Sequence, residues 1–202
     1  MKKVYIQARV DADKCIGDRI CENICPAGAI AMVDRKAVVD ADKCVACLTC
    51  IDACGAGAIT TTPRPETKIL RVDPMEVDPV ALQDLCDRAH LDPEDPICLC
   101  TLTQAKEVAA AIIKGATSPQ EITLMTGIRT ACAMWCMAPV LRLLQASGAD
   151  MNPPKGYKWY PAQLGIWEIP DEVAQKYTEY SIEEDRQLFD RGRLDNLVSN
   201  LK

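Results

Sequence analysis

The stretch that decides the fold is VDADKCIGDRICENICPAGAI, Val10 to Ile30, together with its echo VDADKCVACLTCIDACGAGAI, Val39 to Ile59. The two begin with the same hexapeptide and stand at a constant offset of 29 residues. The second copy carries Cys44, Cys47, Cys50 and Cys54. The first carries Cys15, Cys21 and Cys25, with Asp18 where the second has Cys47. Each copy has a short strand candidate before its first cysteine, then a cysteine-rich turn and helix. A second strand candidate follows, Ala29–Val33 in one copy and Ala58–Thr62 in the other. Two such halves predict a small α+β domain with pseudo-twofold symmetry over residues 1–62. Thr62-Pro63-Arg64-Pro65 reads as its exit.

Thiolates spaced by two residues in a tight loop reach three corners of one iron–sulfur cube, and in two-cluster proteins the fourth cysteine serves the other cube. Zinc is the rival for paired CxxC units, but a duplicated 2-2-3 spacing followed by Cys25-Pro26 is poorly explained by one tetrahedral ion. The pattern resembles the bacterial and archaeal two-cluster ferredoxins, with a ferredoxin-like fold. That resemblance implies one 4Fe–4S cluster on Cys25, Cys44, Cys47 and Cys50. It implies a second on Cys15, Cys21 and Cys54 with Asp18 at the remaining corner. A carboxylate is a harder and weaker ligand for cluster iron than a thiolate. The Asp18 site therefore either keeps its fourth iron or loses it to give 3Fe–4S, and the reading favours an intact 4Fe–4S cluster without oxygen. Cys54-Gly55 departs from the usual Cys-Pro.

A second set follows. Cys98-Leu99-Cys100 is separated from Cys132-x3-Cys136 by a stretch that reads as helix, capped turn, helix and Thr-Gly loop. Ala105–Lys114 is helical and ends at Gly115. Ser118-Pro119-Gln120-Glu121 is a capping box opening a helix that stops near Gly127. Another helix covers Met137–Ala146. The elements Cys98, Cys100, Lys114-Gly115-Ala116, Thr126-Gly127, Cys132 and Cys136 resemble the bacterioferritin-associated ferredoxin type of domain. The resemblance implies a small all-α domain over 98–148 that holds one 2Fe–2S cluster on these four cysteines. Each iron of a 2Fe–2S rhomb takes two thiolates, so two cysteine pairs suit it. Zinc, another cluster or an unfilled site are the alternatives there, because the last pair is spaced by three residues.

Twelve cysteines among 202 residues raise the question of disulfides. No apolar stretch long enough for an export signal follows Met1-Lys2-Lys3, and no run of 18 apolar residues suggests a membrane span. The expectation is a cytoplasmic chain, where clustered cysteines serve metals rather than disulfides. A net charge of −6 argues against nucleic-acid binding. A helix–turn–helix reading of 103–130 fails on the same ground. Residues 63–97 read as a connector with one helix, capped by Asp78-Pro79, whose apolar face holds Leu82, Leu85, Cys86 and Ala89. Cys86 is expected to be a buried small hydrophobe, and His90 a helix-end cap. No catalytic residue is assigned, since nucleophile–base sets, phosphate loops and dinucleotide fingerprints are lacking.

Of nine aromatic residues, seven lie after residue 149. Pro153, Pro154, Pro161 and Pro170 predict extended chain there, and Ser181–Glu184 a capped terminal helix. The segment 149–202 reads as a docking tail. The whole sequence predicts an electron-transfer subunit in anaerobic metabolism with three iron–sulfur clusters, no enzyme on its own, assembled with a larger flavin- or metal-containing catalytic subunit. A free ferredoxin shuttle, an iron–sulfur redox sensor and a metal chaperone are the other readings.

Overall fold

Strand β1, Lys2–Val10, pairs antiparallel with β4, Ile59–Leu70, in a register that joins Lys2 to Leu70 and Val10 to Ile59. The pairing therefore ties the start of the first copy to the end of the second. The computed structural model that shows this describes residues 2–152 and 164–190. Between these strands lie α1, Ile20–Asn23, and the hairpin of β2, Ile30–Val33, with β3, Lys36–Val39. Helix α2, Thr49–Asp52, follows. The hairpin loop has only Asp34 and Arg35, both at positive φ (46° and 62°). This is the type I′ geometry whose twist matches the strands it joins.

The two copies repeat their hydrogen bonds at the same offset. Asp11 Oδ1 accepts from the amides of Asp13 and Lys14, and Asp40 Oδ1 from those of Asp42 and Lys43. The Cys15 amide donates to Asp11 O and the Cys44 amide to Asp40 O. Across the copies, Asp11 N donates to Ala58 O at 2.8 Å and Asp40 N to Ala29 O at 2.7 Å. Left-handed residues recur in register as well: Gly17 with Ala46, Arg19 with Leu48, Gly28 with Gly57. The common hexapeptide is thus a common loop entry, an aspartate capping the turn that presents the first cysteine.

One expectation is corrected here. Strand β4 runs through Pro63 and Pro65 instead of ending at Thr62. Proline survives in a strand whose missing N–H faces away from a partner, and this ladder has only two strands. Arg64 donates to Ala41 O at 2.6 Å and Lys68 to Asp42 O, which pin the second copy's entry loop to β4.

The rest of the described chain up to Asn152 is mainly helical. Helix α3, Pro79–Arg88, starts at Asp78, whose carboxylate accepts from Val80 N. Helices α4, Ala105–Ile113, α5, Pro119–Thr126, and α6, Met137–Ala146, follow. Ala105, Val108, Ala109, Ala110 and Ala111 of α4 are fully buried, and α3, α5 and α6 pack around that helix. Small side chains allow this close approach. Cys86 is buried in the same core, as its helix face predicts. The domain is not all helix: β5, Pro96–Cys98, pairs with β6, Thr103–Gln104, and the loop between them carries Cys100. Nothing in a three-residue strand followed by a two-residue one stands out in sequence, since neither is long enough to show alternation.

The helical part packs on the first 70 residues. Leu124 of α5 joins the core that contains Val4, Cys25, Cys44 and Leu70. At Gly127, φ +77°, an added Cβ would stand 3.1 Å from Lys2 Cβ and 3.6 Å from Leu70 Cδ1. The chain divides into two compact units, Met1–Pro161 and Ala162–Lys202. In the second, α7, Asp171–Lys176, and α8, Ile182–Asp190, are joined by Arg186. Its guanidinium donates to Ile166 O at 3.0 Å, to Asp171 Oδ1 at 2.8 Å and to Ile169 O. The prediction of extended chain at Pro153–Pro161 lies outside the described residues. Around Pro170 the chain forms helical turns, Ile166–Glu168 and Asp171–Lys176, so the extended reading does not hold there, whereas the helix expected after Ser181 is α8. Among the described residues no helix is long and apolar enough to cross a membrane.

Candidate metal centres

Three groups of sulfur-bearing side chains come together, each drawn from separated segments. The first lines a cavity of about 290 Å³ with Cys15, Asp18, Cys21 and Cys54, walled by Val10, Ala37 and Ile59. The second lines one of about 390 Å³ with Cys25, Cys44, Cys47 and Cys50, walled by Ala8, Ile30 and Val45. In both, three side chains come from one copy and the fourth from the other. Cys21 and Cys50 sit on α1 and α2 themselves, and Cys25 and Cys54 lie two residues past the ends of those helices. None of the twelve cysteines is in a disulfide.

Backbone amides point at these sulfurs. Ala29 N donates to Cys25 Sγ at 3.2 Å, Ala58 N to Cys54 Sγ at 3.4 Å, and Ala8 N to Cys44 Sγ at 3.5 Å. Such donors stabilise a thiolate. Burial pushes Cys21 and Cys25 up, and burial with the charges of Cys47, Cys25 and Cys44 pushes Cys50 to about 12. Four sulfurs so placed cannot all ionise unless a cationic centre sits among them, because metal binding displaces their protons. Donor chemistry and aimed amides both fit a thiolate-ligated cluster. Among the described residues no three His, Cys, Asp or Glu side chains converge as ligands of one metal ion. The thiols stand around the walls of a space instead.

Asp18 is exposed, and its Oδ1 accepts from Ile20 N at 3.1 Å at the start of α1. Asp18 lines the same cavity as Cys15, Cys21 and Cys54. Asp18 thus also holds the chain that enters α1.

The third group pairs across its two segments. Cys100 Sγ lies 3.3 Å from Cys132 Sγ, and this pair is exposed. Cys98 and Cys136 form a buried pair whose thiols interact. Burial and the charge of Cys98 push Cys136 to about 12. Burial also opposes ionisation of Cys98. The Thr101 hydroxyl and the amides of Thr101, Arg129 and Cys100 outweigh it and hold that thiol below its ordinary value. Amides of Met134 and Trp135 and the Cys100 thiol do the same for Cys132. Around the exposed pair stand Leu99, Leu102, Met134 and Trp135, between 68% and 80% exposed. Thr101 and Arg129 were not singled out from sequence. A hydroxyl beside a CxC pair is a readable hint, whereas an amide from a loop 31 residues away is not.

Comparison with known families agrees with this order. Residues 7–55 match the model of a 4Fe-4S dicluster domain, and residues 96–146 that of a BFD-like [2Fe-2S] binding domain. The two matches stand in series, in the order the cysteine motifs imply. No curated protein matches, and no solved structure matches. Iron–sulfur domains of these kinds support an electron-transfer role. In the dicluster domain the match ends at residue 55, while β4 continues the same sheet to Leu70. In the BFD-like domain the match begins at the hairpin that carries Cys98 and Cys100 and ends with α6.

Proposed function

We propose that this chain relays single electrons through three iron–sulfur clusters within a larger oxidoreductase. Cys25, Cys44, Cys47 and Cys50 hold one 4Fe–4S cluster. Cys15, Asp18, Cys21 and Cys54 hold the other, with 3Fe–4S as its oxidised form once the iron at Asp18 is lost. Cys98, Cys100, Cys132 and Cys136 hold a 2Fe–2S cluster, one iron on the exposed pair and one on the buried pair. The first 70 residues form a ferredoxin-like domain with pseudo-twofold symmetry, which the repeated hydrogen bonds support. Bound clusters supply one-electron carriers whose potentials depend on charge, hydrogen bonds and exposure.

The observation that carries this reading is the exchange of Cys25 and Cys54 between copies, which gives each cavity four donors. The chain's own residues set the environment: Ala8, Ala29 and Ala58 amides hold sulfurs of the first two sites, and Thr101 and Arg129 those of the third. The uncharged rim of Leu99, Leu102, Met134 and Trp135 beside the exposed Cys100–Cys132 pair suits contact with a partner. That partner is a flavin- or metal-containing catalytic subunit, and the chain catalyses no reaction by itself. Iron and acid-labile sulfide analysis of anaerobically purified protein, with EPR of the oxidised and reduced forms, tests the proposal. About ten irons per chain are expected from two cubes and one rhomb. About four irons would refute three clusters. Size-exclusion chromatography of natively expressed protein separates a subunit from a free shuttle, which would elute as a monomer.

A further inference from the structure

Arg129 sits where the two metal-binding domains meet. Its Nη1 donates to Pro26 O at 3.3 Å, across 103 residues of sequence, and lies 3.5 Å from Thr123 Oγ1. Pro26 follows Cys25, whose sulfur lines the second cavity. The backbone amide of the same arginine points at Cys98 of the third site. Arg129 holds φ 67°, a left-handed conformation rare outside glycine, asparagine and aspartate. Backbone in that region persists where its surroundings over-determine it, and it clusters at functional positions. Here the turn aims the amide one way, at Cys98, and the guanidinium the other, at the carbonyl of the Pro26–Ala27 peptide. The surroundings are fixed too, because Leu124 and Gly127 press the same loop against the first domain.

We infer that Arg129 couples the second and third sites: one residue joins a sulfur of each through an unbroken run of covalent and hydrogen bonds. The inference rests on the cluster assignment proposed above. It makes the second site, and not the Asp18 site, the neighbour of the third in the relay. One electron passes between the two sites, one being oxidised as the other is reduced. No bond forms or breaks and no proton need move. The guanidinium charge also reaches Cys136, so it favours the reduced, more negative state of the third site.

The test uses the full chain, prepared without oxygen, as wild type, Arg129→Gln and Arg129→Lys. Iron and sulfide are counted first, then each site is titrated potentiometrically with EPR detection, using a photoreduced flavin as electron donor. In Arg129→Gln the reduced-to-oxidised ratio of the third site at fixed potential should fall about tenfold, which is about 59 mV for a one-electron couple. Arg129→Lys keeps the charge and should stay near wild type in potential. Spin–spin broadening between the reduced second and third sites should weaken in both variants, because neither reproduces the Pro26 contact at the same reach. Full iron with unchanged potential and unchanged broadening in both variants overturns the inference while the cluster assignment stands. Should Arg129→Gln shed iron, Arg129→Lys decides: broadening as in wild type overturns the inference. Wild-type protein without iron–sulfur clusters would sink the assignment and the inference together.

Discussion

At the residue scale, Gly17 and Ala46 occupy equivalent places in the two copies and share a left-handed backbone, φ 77° and 51°. Only one of them must be glycine. A Cβ on Gly17 would stand 2.4 Å from Arg35 O, because the hairpin turn lies against the first loop; Lys36 Nζ also donates to Cys15 O there, at 2.7 Å. Gly17→Ala should therefore prevent loading of the first site and lower the iron count by about four. Gly57→Ala also has a positive φ, but nothing lies within 4 Å of the added carbon. It should keep all its iron and lose about 1–2 kcal/mol in chemical denaturation, the cost of a left-handed alanine. Equal iron loss in both variants would refute the role of the Arg35 contact. Asp18 gives a second prediction. With a carboxylate at the fourth corner, wild-type protein exposed to air should develop a 3Fe–4S EPR signal, and Asp18→Cys should not, since thiolate binds cluster iron more firmly. Identical behaviour in air would remove Asp18 from the ligand set. Cysteine spacing made these donors legible in sequence. Arg129 was not legible, because its role depends on a contact with residue 26 and on a backbone angle that no pattern announces.

At the element scale, helix starts were the most readable feature, since caps are local chemistry. Asp78-Pro79 and Ser118-Pro119 begin α3 and α5 as expected, with Ser118 Oγ accepting from Glu121 N at 3.3 Å. Glu121 closes its side of the turn on Thr117, whose amide donates to its carboxylate at 2.7 Å and whose hydroxyl does so at 3.0 Å. Burial pushes this carboxyl up, but hydrogen bonds from Thr117 and Ser118 more than offset it and hold it below its ordinary 4.5. A carboxylate whose pKa is depressed by folding stabilises the fold above its unfolded pKa and loses that contribution as pH falls through the folded one. Glu121→Gln should thus be less stable than wild type at pH 7, with the gap closing below about pH 4.5. Denaturant midpoints of both proteins across that range check it. A gap that widens in acid would contradict the sign. Strand ends were less readable: prolines at 63 and 65 signalled an exit but fit inside β4, whose outer edge needs no amide there. The hairpin at 96–104 escaped notice because so few residues carry it.

At the scale of the whole molecule, the segment read as a connector, 63–97, is shared out. Residues 63–70 complete β4, and Leu82, Leu85 and Cys86 of α3 join the helical core. Sequence showed two metal-binding regions but not that they press together, because packing between domains leaves no periodic trace in either one. What it showed of the C-terminal region was composition. All twelve cysteines precede residue 137, and both buried cores draw on residues 4 to 151. The second unit has its own tie in Arg186. A chain ending at Asn152 should therefore keep the full iron and sulfide content and the visible spectrum of the whole protein. It should also keep its midpoint potentials, since the donors that tune each site remain. If the aromatic residues beyond 152 dock on a catalytic subunit, the same truncation should move the natively expressed protein from the complex to the monomer position in size-exclusion chromatography. Loss of iron on truncation would show that the C-terminal unit supports the clusters, and a truncated chain that still elutes with the complex would transfer docking to the Leu99–Trp135 rim.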